Sequence, residues 1–447
     1  MEDARTAALK ALLRVDGDGG YSNLVLDGTL GPSIADRRDK ALATALFYGV
    51  LERRITLDYI IGLFSKTPLS KLSPVVLEIL RIGVYQIFYL EKIPPSAAVS
   101  EAVNLAKRNG EAKASGFVNA VLRNLLRAGE KLPMPDPAKE PLKSLSVKYS
   151  CPEWLIRLWR ESYGESCTLG LLKSLLSKPP VFARVNNTRI SEANLLERLN
   201  GEGMDAQRSD LLEDAVELKR MGGVRESESY REGFYHIQDL SSQICCALLD
   251  PRPGETVADV CAAPGGKTFT IAERMDNRGR VYAFDRYPER VKLIREGAVR
   301  LGLSCVEAGV RDAAAPADCP GRADRVLCDV PCSGLGILRR KPEVRYKLSA
   351  TIDSLPDLQY LILCKSSELV GSGGLLFYST CTLNPRENSE VAGRFLSEHE
   401  AVFEPFPLRL PEGIRRAVRE PDSQLTLMPH ENDTDGFFIA AFRKRQE

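Results

Sequence analysis

From about Pro251 onward, short apolar runs alternate with helical stretches, in the order "TVADV", "RVYAFD", "SCVEAGV", "RVLCD" and "GGLLFYST". Runs this short, separated by segments of helical period, dictate βαβ units and so a mostly parallel sheet flanked by helices. In an open sheet of that kind, reactive groups collect outside the carboxyl ends of the strands. The side chains that end or directly follow those five runs are therefore the first candidates for chemistry, and residues 240–447 are expected to form one Rossmann-like α/β domain.

The rest of the chain has a different texture. Residues 1–130 read as helical almost throughout, in runs such as "KALATALFYGVLERRITLDYII" and "GFVNAVLRNLL", where Phe117, Val121 and Leu125 share a face. An all-α N-terminal domain follows. The stretch "VVLEILRIGVYQIFYL" carries Glu78, Arg81 and Gln86 and falls short of the roughly 20 uninterrupted apolar residues of a membrane span, so it reads as a buried core helix. Pro133, Pro135, Pro137 and Pro141 crowd the next segment, which is expected to be a linker over 131–150. Residues 151–239 mix a Trp-bearing helix, a strand-like "VFARVN" and the helix "SEANLLERLNGEG", which predicts a small α/β subdomain.

Overall charge excludes little, because 61 basic side chains face 60 acidic ones. The first 150 residues hold a surplus of roughly +5, gathered after Arg81, which hints at an anionic partner. Eleven scattered cysteines without a C-x-x-C pair, and a charged rather than apolar start, point to a reducing cytoplasm. No metal-ligand spacing stands out, and no membrane partner is expected.

The loop "CAAPGGKT" follows the first of the five strands and opens a helix. Gly266, Lys267 and Thr268 match the end of a phosphate-binding loop, and "RVLCD" matches its magnesium strand, so a phosphate-loop ATPase is one reading. Cys261 stands where that loop needs its first glycine. Asp285, about 20 residues past Gly266 at the end of the next strand, is placed to accept from ribose hydroxyls, for which a triphosphate loop has no use. A dinucleotide site would want G-x-G-x-x-G, which is absent. What remains is a nucleoside without a long phosphate chain, S-adenosylmethionine. Asp312, ending the third strand, would stand near an adenine, although a lone Asp there is a helix cap about as often.

Two further motifs carry thiols. Asp329 and Cys332 share a Pro/Gly-shaped loop in "DVPCSGLG", and Cys381 follows the fifth strand in "YSTCTLNPREN". A lone cysteine is usually a small core hydrophobe. Two of them at one sheet edge, beside a carboxylate, favour chemistry. The run Arg339, Arg340, Lys341, Arg345 and Lys347 is expected either to hold RNA phosphates or to be a solvated helix face.

Taken together, "DVCAAPGGKT", "DVPCSGLG" and "YSTCTLNPREN" resemble the NOL1/NOP2/Sun group of RNA cytosine carbon-5 methyltransferases, and the helical N-terminal half, with "SGFVNAVLRNLLR", is similar to the NusB antitermination factor, as in the bacterial Sun (Fmu, RsmB-type) enzymes. The resemblance implies S-adenosylmethionine held by Cys261, Ala262, Ala263, Pro264, Gly265, Gly266 and Lys267. It also implies Asp285 on the ribose, Asp312 near the adenine and Asp329 at the junction of cofactor and base. Cys381 would be the nucleophile and Cys332 the thiol that assists release. The implied substrate is a cytosine of 16S rRNA, as naked RNA or an early assembly particle, with a monomeric enzyme. A non-catalytic RNA-binding or antitermination module is the remaining alternative. The residue before Asp312 departs from the group, which commonly shows glycine there.

Overall fold

A computed structural model describes residues 3–18, 22–30, 36–129, 132–220, 223–316, 322–346, 352–415 and 422–446. The chain forms two compact units, Met1–Ser177 with Leu338–Lys347, and Lys178–Ile337 with Leu348–Glu447.

The first unit is helical: α1 (Ala4–Asp18), α2 (Ser22–Leu30), α3 (Arg37–Phe64), α4 (Pro74–Tyr89), α5 (Pro95–Arg108), α6 (Ser115–Ala128), α7 (Pro141–Tyr149) and α8 (Glu153–Ser174). Helix α4 is the expected core helix. It starts where Ser73 accepts from the Val76 amide and Pro74 occupies the first turn, whose amide would have no partner anyway. Its polar residues survive burial because each is met: Arg81 donates to Asp58 and Glu78, and Gln86 accepts from Arg5. Leu46, Phe47, Ile79, Leu105 and Leu122 fill the core around it.

One boundary differs from the sequence expectation. The segment 131–150 is not linker to its end, because Pro141 sits at the start of α7 rather than inside it. The Trp-bearing helix α8 buries Trp159 completely and packs within this unit.

In the second unit, β1 (Phe182–Val185), β2 (Asp205–Arg208), β3 (Ala215–Arg220) and β4 (Tyr235–Ile237) form an antiparallel sheet ordered β2-β3-β1-β4. Helices α9 (Glu192–Gly201) and α10 (Glu228–Arg231) accompany it. The main sheet contains the five expected strands as β5 (Thr256–Asp259), β6 (Arg280–Asp285), β7 (Val306–Val310), β8 (Ala323–Asp329) and β9 (Val370–Thr380), all parallel. Three more strands, β10 (Phe403–Pro405), β11 (Gln424–Leu427) and β12 (Phe437–Lys444), complete it in the order β10-β12-β9-β8-β5-β6-β7, with β11 on β12 and β12 antiparallel to β9.

Both faces are covered. Val257, Val281, Leu327 and Phe377 point into a core shared with α11 (Leu240–Leu249), α12 (Gly266–Arg274) and α13 (Pro288–Leu301). Their neighbours Ala258, Tyr282, Val326 and Tyr378 face α14 (Leu355–Ser367) and α15 (Ser389–Glu398). That double burial explains why these strands read as continuous apolar runs. Strand order reverses between β5 and β8, which opens a crevice beyond Asp259 and Asp329. Among the described residues no helix is long and apolar enough to cross a membrane.

Candidate active site

The loop after β5 turns on Gly265, whose φ of +112° suits only glycine, and α12 starts at Gly266 with its first amides unpaired by the helix. A cavity of about 190 Å³ lies against this turn, lined by Cys261 to Pro264, Gly266, Lys267, Asp259, Asp329, Ile237, Gln238 and Ser242. Two buried polar atoms on that lining have no hydrogen-bond partner within the protein, Gln238 Nε2 and Asp259 Oδ1. Buried polar atoms normally find partners, so these two are available to a bound polar group.

The phosphate-loop likeness dissolves at this point. Thr268 is fully buried and donates to Asp259 Oδ2 (2.7 Å), and Lys267 Nζ donates to Asp329 Oδ2 (2.7 Å). Both side chains are taken up by carboxyl groups at neighbouring strand ends. Burial works against the Lys267 ammonium, but Asp329 beside it holds the group above its ordinary range. Burial raises Asp259 to about 7, against the pull of the Thr268 hydroxyl.

Asp285 and Asp312 stand at the ends of neighbouring strands, outside that cavity's lining. Asp285 Oδ1 accepts from the Tyr287 amide (3.1 Å) and Oδ2 lies 3.3 Å from Arg290. Asp312 accepts from the Ala314 amide (3.0 Å) and pairs with Arg286 (3.4 Å), with its side chain 42% exposed. Arg290 also donates to the Ala263 carbonyl (3.0 Å), tying the ribose-side acid to the glycine loop.

Across β8 and β9 the two thiols meet: Cys332 Sγ lies 3.2 Å from Cys381 Sγ. The strand register puts Asp329 opposite Ser379, and Ser379 Oγ donates to Asp329 Oδ1 (3.0 Å). The Cys381 sulfur first, and burial second, push the Cys332 thiol well above its usual range. Either sulfur can be the donor in the pair. The carbonyl of Cys381 accepts from the Gly336 amide (3.0 Å), and Ser333 and Thr382 share a hydroxyl contact (2.7 Å), so both loops are fixed to each other.

The basic run does not form one surface. Arg345 is completely buried, donating to the carbonyls of Glu52 (3.3 Å), Ser150 (3.1 Å) and Leu338 (3.1 Å) within the helical unit. Arg339 is buried as well. These two are fold-forming arginines here, which corrects the expectation that they face RNA, whereas Arg340 and Lys341 are partly exposed and Lys347 lies outside the described residues. Gln238 and Ser242 were not singled out from the sequence. They precede or open a helix with no motif around them, and only the fold brings them to the glycine loop.

Comparison with known proteins gives three matching families: "16S rRNA methyltransferase RsmB/F" over residues 246–443, "NusB family" over 2–127, and the RsmF/B-like ferredoxin-like domain over 151–225. A probable ribosomal RNA small subunit methyltransferase B of Bacillus subtilis is 40% identical, with 99% of this chain and 98% of the relative covered. Ribosomal RNA small subunit methyltransferase B of Yersinia enterocolitica is 31% identical over 99% of this chain and 98% of its own. Among solved structures, that of PH0851 superposes with a TM-score of 0.83 at 26% identity, covering 99% of both chains.

Proposed function

This chain belongs to the 16S rRNA methyltransferase RsmB/F family, and from that premise we propose that it methylates carbon 5 of a cytosine in small-subunit rRNA through a covalent bond from Cys381. At the coarser level it is an S-adenosylmethionine-dependent rRNA methyltransferase of the small subunit. The observation that carries the finer reading is the thiol pair beside Asp329.

The lining of the glycine-loop cavity fits the cofactor: free amides at the start of α12, a glycine turn that admits close approach, and the unpartnered Gln238 and Asp259 atoms for a methionine tail. When bound, S-adenosylmethionine supplies an electrophilic methyl group. We assign Cys261 to Lys267 to holding it, Asp285 to the ribose hydroxyls, and Asp312 to the adenine side.

Carbon 5 of cytosine is too weak a nucleophile to take a methyl group unaided. Addition of the Cys381 sulfur to carbon 6 places an electron pair on the ring as an enamine and makes carbon 5 nucleophilic. Asp329, held by Lys267 and Ser379, is assigned to ring nitrogen 3, where a proton shared between its carboxyl group and the ring nitrogen neutralises the negative charge of addition. Once carbon 5 carries the methyl group its proton must leave while the sulfur–carbon bond breaks and the ring double bond re-forms; we assign its removal to Cys332, acting as the thiolate after its own proton has passed to solvent, or to water that Cys332 orders. The target base must be unstacked to arrive there, which favours single-stranded or loosened RNA.

In the helical unit, α5 and α6 line a groove of about 530 Å³ with Ser100, Asn104, Lys107, Asn119 and Arg123, and no carboxylate among its lining residues. We assign this groove to the RNA backbone.

The test is nucleoside analysis of small-subunit rRNA after reaction, with a denaturing gel alongside. The wild type should yield 5-methylcytidine, Cys381→Ala none, and Cys332→Ala a covalent protein–RNA complex. Methyl on another atom would overturn the carbon-5 reading, and a complex trapped by Cys381→Ala instead would exchange the two thiol roles.

A further inference from the structure

The release thiol sits on a loop, Pro331 to Ser333, with no regular secondary structure of its own to hold it. Besides the Ser333–Thr382 hydroxyl contact, a buried carboxyl group from a different segment holds that loop. Glu387, in the short turn Pro385–Glu387 after the Cys381 loop, is fully buried. Its Oε2 accepts from the Ser333 amide (2.8 Å) and from Gln359 Nε2 (2.9 Å), and its Oε1 from Ser333 Oγ (2.5 Å) and Asn384 Nδ2 (2.9 Å). Gln359, on α14, also donates to the Pro331 carbonyl (2.9 Å). The peptide units on both sides of Cys332 are therefore held, one by Glu387 directly and the other through Gln359.

We infer that Glu387 is the positioning residue for the release step, setting the distance of Cys332 from the carbon-5 proton without touching the substrate. This rests on the reading of Cys332 given above. A carboxylate is the group that suits this place, because four donors converge on two oxygens and an amide would turn two of its own hydrogens towards them. Burial without water makes each of those contacts more costly to lose than at the surface. The Cys381 loop does not depend on the Glu387 side chain alone: the Gly336 amide and the side chain of Asn388, which donates to the Thr382 carbonyl (2.9 Å), hold it as well. Addition by Cys381 should therefore outlast the loss of Glu387, while release by Cys332 should not.

Glu387→Gln is expected to accumulate the covalent protein–RNA complex on a denaturing gel, with release slowed roughly 100-fold, the effect of misplacing a reacting group by about 1 Å. Cofactor affinity, measured by calorimetric titration, should stay within about threefold of wild type, since no lining residue of the cofactor cavity contacts Glu387. A general loosening of the fold would lower cofactor binding and complex formation together. Cys332→Ala runs in parallel. If it traps the complex and Glu387→Gln releases product at the wild-type rate, the role of Glu387 is overturned and that of the thiols stands. If Cys332→Ala traps nothing, the reading of the thiols falls. Should Glu387→Gln not fold or not bind cofactor, Ser333→Ala decides: it removes one of the four donors, and release slowed roughly tenfold supports the inference whereas an unchanged rate overturns it.

Discussion

Asp259 gives the sharpest stability prediction, because it is a carboxyl group with almost no exposure on the lining of the glycine-loop cavity. Burial raises it to about 7, while the unfolded chain has it near the ordinary aspartate value of about 3.9. Between those two values the folded state binds more protons than the unfolded one, so stability falls as pH rises through the window and is flat above it. From pH 5 to about 7 the loss amounts to roughly 3 kcal/mol, at about 1.4 kcal/mol per pH unit. Asp259→Asn removes that titration. It keeps an acceptor for Thr268 but sets an amide where Oδ1 has no partner, a penalty of about 1–3 kcal/mol at every pH. The variant should therefore be no more stable than wild type at pH 5 and should gain on it by roughly 3 kcal/mol by pH 8. Thermal unfolding of the cofactor-free protein at pH 5, 6, 7 and 8 reads this as a melting temperature of the variant that climbs against that of wild type by roughly 5–10 °C across the range. A constant difference between the two proteins, or a variant that loses ground to wild type as pH rises, would refute the assignment of a buried, proton-binding carboxyl at this position.

Two classes of basic residue should separate cleanly. Arg345→Met is expected to cost roughly 3 kcal/mol of stability, by leaving three buried carbonyls without their donor, and to leave the salt dependence of RNA binding unchanged; a change in salt slope without a change in melting temperature would return Arg345 to the RNA surface. Lys107→Glu with Arg123→Glu, both exposed in the groove of the helical unit, should leave melting within about 1 °C and lower the slope of log affinity against log salt by roughly 2, read by filter binding at several salt concentrations.

The parts of the molecule that were legible from sequence are those whose signal is local. Five buried parallel strands announced themselves because both faces of the sheet are covered, so each strand had to be apolar along its length. The places of Asp285, Asp329 and Cys381 at or directly after the carboxyl ends of those strands follow from the same runs. The α7 start was missed because a run of prolines reads as a chain that cannot be helical, whereas one proline at a first turn is compatible with a helix. Arg345 was misread for a related reason: a charge within a basic run looks solvated, and only the carbonyls of Glu52 and Ser150, some 200 to 300 residues away in sequence, reveal it as buried.

The same limit explains the resemblance to a phosphate loop. Gly266, Lys267 and Thr268 are the residues a triphosphate would use, and nothing within the loop itself says otherwise. Their function depends on which side chain each meets, and those partners come from two other strand ends: Asp259 takes the Thr268 hydroxyl and Asp329 takes the Lys267 ammonium. With both groups satisfied internally, the loop offers an incoming ligand its backbone amides and two unpartnered buried atoms instead of a cation and a metal ligand. That set favours a ligand with an amino-acid end over one with three phosphates. Glu387 repeats the pattern one layer out. A glutamate in "NPREN" has the sequence appearance of a surface acid, and it acquires a function only because Ser333, Gln359 and Asn384 converge on it from three segments. A strand end can be read from its own residues, but a group that positions a catalytic loop is defined by donors that the fold brings from elsewhere.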